Sequence, residues 1–183
     1  MKKEIIRNLI LAIALLFNCA FLAMAGYDSP ITTKNWSPHP TIITIRRIYQ
    51  AVEQDIRKGK LKKAEREVES CSPLGDKRTI FFDSQGRIRK YVWDGGSEDS
   101  ALMMRYYYDQ LGRLRFIFIT GGAVNGSQLE HRIYFDENRS RIWEEHKYTK
   151  GPGYTFPSIW PDSEIVYQPK QAYEDNCTAV ESK

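Results

Sequence analysis

Between Thr41 and Ile56 apolar side chains return every three or four positions, at Ile42, Ile45, Tyr49, Val52 and Ile56, with Arg46, Arg47, Glu53 and Asp55 among the polar positions. That spacing lays one apolar stripe along a helix. Gly59 interrupts the run, Leu61, Ala64 and Val68 continue it to about Ser70, and Ser72-Pro73-Leu74-Gly75 stops it. The pattern predicts an amphipathic helix broken at Gly59, or a helical pair, over residues 41–70. From residue 78 to 148 the period drops to two, which predicts strands. Residues 26–40 hold three prolines and little periodicity and read as an extended lead-in. Residues 151–183 are rich in proline and aromatics, a tail with at most one more strand near Glu164 to Tyr167.

Within the strand region one pattern occurs three times: an aromatic pair, an aspartate, a short turn and clustered arginines. The copies are Phe81-Phe82-Asp83 to Arg89, Tyr107-Tyr108-Asp109 to Arg115, and Tyr134-Phe135-Asp136 to Arg141, with the aspartates 26 and 27 residues apart. Asp-x-x-Gly suits a type I turn whose glycine takes positive φ and forms a bulge, so each copy predicts a hairpin tip. The third copy reads as one residue shorter, with Asn138 in the glycine position. The expected fold is α+β: an N-terminal amphipathic helix packed on an antiparallel meander of three hairpins, in a single domain over residues 41–183.

If Gly86 and Arg87 together oppose Asp83, Phe82 pairs with Ile88 and Phe81 with Arg89. The same rule pairs Tyr107 with Arg115 and Tyr134 with Arg141. Alternation then collects Ile80, Phe82, Ile88, Tyr106, Tyr108, Leu114, Phe116, Phe118, Ile133, Phe135 and Ile142 on a core face under the helix. The opposite face becomes an exposed strip of Phe81, Arg89, Tyr107, Arg115, Tyr134 and Arg141. Aligned rings and guanidinium groups are suited to an envelope protein, an anionic glycan or a lipid headgroup. They also stabilise a sheet by pairing with one another.

The candidate chemistry is sparse. The same register pairs His131 with Glu144 and puts His146 on the same side, a set able to bind a divalent metal. Glycine loops for phosphate, a nucleophile elbow and a cysteine–histidine constellation are missing from the sequence, so no cofactor is expected apart from that metal. Lys2, Lys3 and Arg7, an apolar stretch from Leu9 to about Leu22, and Ala23-Met24-Ala25 make residues 1–25 a secretory signal cleaved near Ala25. That predicts a periplasmic or secreted chain without a transmembrane span; lipidation at Cys19 is the competing reading. Cleavage takes Lys2, Lys3, Arg7 and Glu4, and the net charge falls from +4 to +2. Near-neutrality argues against nucleic acid as a partner. Cys71 and Cys177 remain, and an even pair in an exported chain predicts a disulfide.

Tyr108-Asp109-x-x-Gly112-Arg113-Leu114 resembles the core of the YD repeats of bacterial Rhs-type exported proteins, and the whole layout resembles small secreted bacterial proteins. The resemblance implies hairpin geometry and export; three units are too few for an encapsulating shell. The expected function is therefore an exported, non-enzymatic binding or interaction module. The alternatives are a metal-dependent protein or enzyme centred on His131, Glu144 and His146, or an inhibitor or immunity-type protein that binds a protein partner.

Overall fold

The computed structural model describes residues 29–69, 75–153 and 156–176. The signal segment and the cysteines Cys19, Cys71 and Cys177 lie outside them. The chain divides into two compact units, one ending at Ile43 and one starting at Thr44. In the first, the N–H groups of Asn35 and Trp36 donate to the Thr32 carbonyl and that of His39 to the Trp36 carbonyl. The expected extended lead-in is thus a run of tight turns. It feeds helix α1, Pro40–Arg57. Proline suits the first helical position because its absent N–H would have no intrahelical partner there. His39 Nδ1 accepts from the Thr41 N–H at 3.3 Å, which caps the start.

Gly59 ends the helix. It sits at φ 66, its N–H donates to the Ile56 carbonyl, and Lys60 N–H reaches back to Asp55, the two bonds of a Schellman motif. After it the expected second helical stretch is instead strand β1, Lys62–Val68. Ala64 and Val68, four apart, satisfy a helical period and a strand period equally. The structure follows the strand: Ala64, Arg66 and Val68 turn inward while Lys63, Glu65 and Glu67 stay exposed. Such charges blunt an edge against further pairing.

Six more strands follow: β2 Asp76–Phe82, β3 Ile88–Gly96, β4 Ser100–Tyr108, β5 Leu114–Ala123, β6 Gln128–Phe135 and β7 Arg141–Lys150. They form one antiparallel seven-stranded sheet in the order β1 to β7. The architecture is α+β as expected, with seven strands in one meander in place of three hairpins. The three aspartate turns lie together at one end of it, between β2 and β3, β4 and β5, and β6 and β7.

Each turn is held the same way. Asp83 N–H bonds the Arg87 carbonyl, and its Oδ1 accepts the N–H groups of Gln85 and Arg87; Asp109 does this with Leu111 and Arg113, and Asp136 with Asn138 and Ser140. The third turn is therefore not shorter. Positive φ falls at Gly86, Gly112 and Arg139, so Arg139, rather than Asn138, stands in the glycine position at φ 67. A left-handed conformation strains a side chain that has a Cβ. Replacing Arg139 with glycine should raise stability by about 0.5–1 kcal/mol, offset in part by glycine's freer unfolded chain. A urea melt of Arg139→Gly that is no more stable than wild type would contradict the strain.

A bulge follows each turn and changes the register. Phe82 pairs with Ile88, Tyr108 with Leu114 and Phe135 with Arg141, but the next pairs are Phe81 with Lys90, Tyr107 with Phe116 and Tyr134 with Trp143. Arg89, Arg115 and Ile142 are the extra residues. Slipping one residue exchanges the faces of all that follows. Phe116 and Phe118 consequently join Tyr107 and Tyr134, opposite the face expected for them.

Both faces of the sheet are covered. One carries Ile80, Tyr91, Tyr106, Ile117 and Ile133 in one row, then Trp93, Met104, Ile119 and His131 in the next. Its cover is the C-terminal segment, through Trp160, Ile165, Val166, Tyr167, Ala172 and Tyr173. That segment is a packed layer rather than a tail, with a 3₁₀ turn at Asp162–Glu164 and helix α2, Pro169–Glu174; at most one short strand was expected near Glu164 to Tyr167, and the described residues there form none. Tyr106 and Tyr108 donate their hydroxyls to the carbonyls of Glu164 (3.0 Å) and Val166 (2.7 Å). Arg78 and Arg66 hold the segment's end: Arg78 Nη1 donates to the carbonyls of Ala172 and Asp175, and Arg66 to those of Tyr173 and Glu174 and to Asn176 Oδ1.

Helix α1 lies on the other face. Tyr49 meets Tyr107 edge-on at 5.1 Å and Phe116 at 5.6 Å between centroids, and Glu53 accepts from Lys90 Nζ at 2.6 Å and from the Tyr107 hydroxyl at 2.8 Å. The expected pairing of helix and core face is therefore reversed. Both faces are rich in large rings, and edge-to-face contacts of this kind add about 0.5–1.5 kcal/mol beyond area burial.

Candidate functional site

The expected basic-aromatic strip does not form from Phe81, Arg89, Tyr107, Arg115, Tyr134 and Arg141. Tyr107 and Tyr134 are buried, in the row that α1 crosses. Arg89 and Arg115, the bulge residues, are buried as well: Arg89 Nε donates to the Tyr108 carbonyl at 3.3 Å and Arg115 Nε to the Phe135 carbonyl at 3.2 Å. Tyr108 and Phe135 are the residues just before the next repeat's aspartate, where the regular ladder has ended at Lys90–Tyr107 and Phe116–Tyr134. Each bulge arginine thus satisfies a carbonyl that has lost its ladder partner. Arg141 lies on the opposite face with Glu144 and Asp162.

A basic-aromatic row does exist one step further along the strands. On the helix-bearing face, Val92, Arg105, Phe118, Arg132 and Glu145 are cross-strand neighbours from β3 to β7. The guanidinium carbons of Arg105 and Arg132 lie 5.4 and 4.9 Å from the Phe118 ring centre. Cation–π contacts at exposed sites are each worth about 0.5–1 kcal/mol. All three side chains are half-buried. Arg132 is paired with Glu130 (2.5 Å) and Glu145 (3.7 Å). Arg105 donates only to neutral acceptors, Thr120 Oγ1 at 3.0 Å and Met103 Sδ at 2.8 Å, and makes no ion pair among the described residues. The sequence signal for these residues was present: Arg105 and Arg132 stand two before Tyr107 and Tyr134, hence on the same face of their strands.

Lys90 lies in the neighbouring row, between Phe81 (5.5 Å) and Tyr107 (5.2 Å) and bonded to Glu53. Burial pushes the Lys90 ammonium below its ordinary pKa despite Glu53. Burial raises the Glu53 carboxyl, but the bond and charge of Lys90 outweigh it and hold Glu53 below the usual carboxylate value. The pair ties helix to sheet.

On the other face, His131, Glu144 and His146 do come together, although not in the expected pairing. His131 is opposite His146, and Glu144 is opposite Ile133. The His131 and His146 ring centres are 5.3 Å apart, and Trp160 meets His131 edge-on at 5.5 Å. His131 Nε2 bonds Glu144 Oε1 at 2.5 Å, the Trp160 backbone N–H donates to the same oxygen at 2.6 Å, and Arg141 Nη1 donates to Oε2 at 2.6 Å. Burial depresses the His131 pKa, against the pull of the Glu144 hydrogen bond and charge. Among the described residues no group of three His, Cys, Asp or Glu side chains is arranged to hold a metal ion.

Cys71 and Cys177 are outside the described residues, but Asn176, which precedes Cys177, is held on β1 by Arg66. No helix among the described residues is long and apolar enough to cross a membrane. Comparison with protein-family models, curated proteins and solved structures finds no match.

Proposed function

We propose that the protein is an exported, non-enzymatic interaction module that presents the row Val92–Arg105–Phe118–Arg132 to an acidic patch on a partner protein of the envelope. One observation carries the reading: Arg105 is a half-buried guanidinium stacked on Phe118 whose hydrogen bonds go only to a hydroxyl and a thioether. A partly desolvated cation without a counter-charge is stabilised by an incoming carboxylate, which gains a charge-assisted bond. Arginine and aromatic side chains on a broad sheet face match the composition of protein-binding surfaces. The secretory signal expected at residues 1–25 and the even number of cysteines left after its cleavage, Cys71 and Cys177, support placement in an oxidising compartment.

The test compares wild-type mature chain with Arg105→Gln/Arg132→Gln in capture from the native envelope, with the captured protein identified and its affinity measured. The double variant should bind at least about tenfold more weakly, in line with loss of a charge-assisted contact. Wild-type binding should also weaken as salt rises. Equal affinity for both proteins would end the reading, and binding to anionic vesicles alone would replace the protein partner with a lipid surface.

A further inference from the structure

The histidine cluster of β6 and β7 beside Trp160 is independent of the row proposed above, since it lies on the opposite face of the sheet. Three contacts occupy the carboxylate of Glu144: His131 and the Trp160 N–H on one oxygen, Arg141 on the other. It is therefore an orienting group rather than a free ligand. Its bond to His131 fixes the tautomer. Neutral imidazole that donates through Nε2 carries its lone pair on Nδ1. That Nδ1 is buried and has no hydrogen-bond partner in the protein, and the same is true of His146 Nε2.

The two rings face each other across one register position of β6 and β7, with centres 5.3 Å apart and planes inclined by 50°. Two imidazoles sharing one ion at roughly 2.0–2.1 Å from each nitrogen place their ring centres about 5–6 Å apart. A histidine that binds metal through one nitrogen typically donates the other N–H to a carboxylate, as His131 does to Glu144. His131 has no exposed surface, whereas His146 is half-buried on β7, the last strand of the sheet. Both of the unpartnered nitrogens are buried, although part of the His146 side chain is exposed.

We propose that His131 Nδ1 and His146 Nε2 are the protein ligands of a late first-row transition-metal ion, with Glu144 as the positioning residue. Imidazole nitrogen suits zinc, copper and nickel, and the remaining coordination positions fall to water or an exogenous ligand. This differs from a three-ligand site, because Glu144 is already engaged.

The experiment titrates the chelator-stripped mature chain with Zn²⁺ and, under reducing conditions, with Cu⁺, by calorimetry and by the fluorescence of Trp160 beside His131. One equivalent should bind saturably for at least one of the two ions. His146→Gln should weaken binding by at least about 100-fold and Glu144→Gln by about 10–100-fold, while His39→Gln leaves it unchanged. Long-range ¹H–¹⁵N spectra of wild type supply a second reading that needs no variant: the ion should shift Nδ1 of His131 and Nε2 of His146 and leave His131 Nε2 protonated. Absence of saturable binding of both ions, binding indifferent to His146→Gln, or shifts confined to other nitrogens would overturn the site and leave a buried histidine pair that only packs the sheet.

Discussion

A chain ending at Lys150 is expected to lose cooperative folding altogether. The segment it lacks covers the apolar face of the sheet with Trp160 and Ile165, both buried, and accepts the hydroxyls of Tyr106 and Tyr108. Without it those tyrosines, now 1% and 0% exposed, would either face water or keep an unpaired hydroxyl. Loss of one buried tryptophan side chain typically costs about 3–5 kcal/mol, and whole domains hold only about 5–15 kcal/mol. Removing the full layer exceeds that margin. Near-UV circular dichroism and a urea melt check the result: a truncated protein with a sigmoidal transition within 2 kcal/mol of wild type, roughly one ordinary mutation's worth, would show that the sheet stands without its cover.

The second large effect is expected at Asp109. Its turn is built like that of Asp83, but its surroundings are not. Asp83 pairs with Arg87, whose side chain is 41% exposed, whereas Asp109 also faces Arg115, whose side chain is 4% exposed, at 3.5 Å. Asp83→Ala loses a turn cap, for about 1 kcal/mol. Asp109→Ala loses the cap and one counter-charge of a buried guanidinium, which keeps Glu137 at 3.6 Å, for about 2–4 kcal/mol. Urea melts of the two variants should differ accordingly, and equal losses would mean that Arg115 is compensated elsewhere.

The effect also has a pH signature. Burial raises the Asp109 carboxyl, but bonds from Arg113 and the turn N–H groups prevail and leave it below its ordinary value. A depressed acid contributes stability above its unfolded pKa, near 4, and loses it as pH falls through the lower folded value. The gap between wild type and Asp109→Asn should therefore close in acid.

The aspartate turns were legible in the sequence because their geometry is local: one side chain, two N–H groups and a residue at positive φ. What followed each turn was not. The bulge takes one residue there, and the arginines do not decide it, since Ile142 takes the same place after the third turn, on the last strand of the sheet. That single residue moved Phe116 and Phe118 across the sheet and replaced the expected strip by one built on Arg105 and Arg132. The choice of cover was also illegible, since Tyr107, Phe116 and Tyr134 make one face as aromatic as the other. Strand β1 hid because Ala64 and Val68 fit both periods. The His131 and Glu144 contact was anticipated through a pairing the structure does not adopt; a side chain's diagonal reach of two positions along the neighbouring strand brought it about.

The arginine clasp at the end of the chain bears on the order in which the protein can be completed. Its bonds join residues 94 to 110 positions apart, from β1 and β2 to the last described turn. Every strand pairing is between neighbours in the chain and forms as soon as two strands exist, whereas closure waits for residues 172–176. Until residues 160–176 dock, a nascent chain therefore carries an open wall of tyrosine and isoleucine, the kind of surface that holdase chaperones bind.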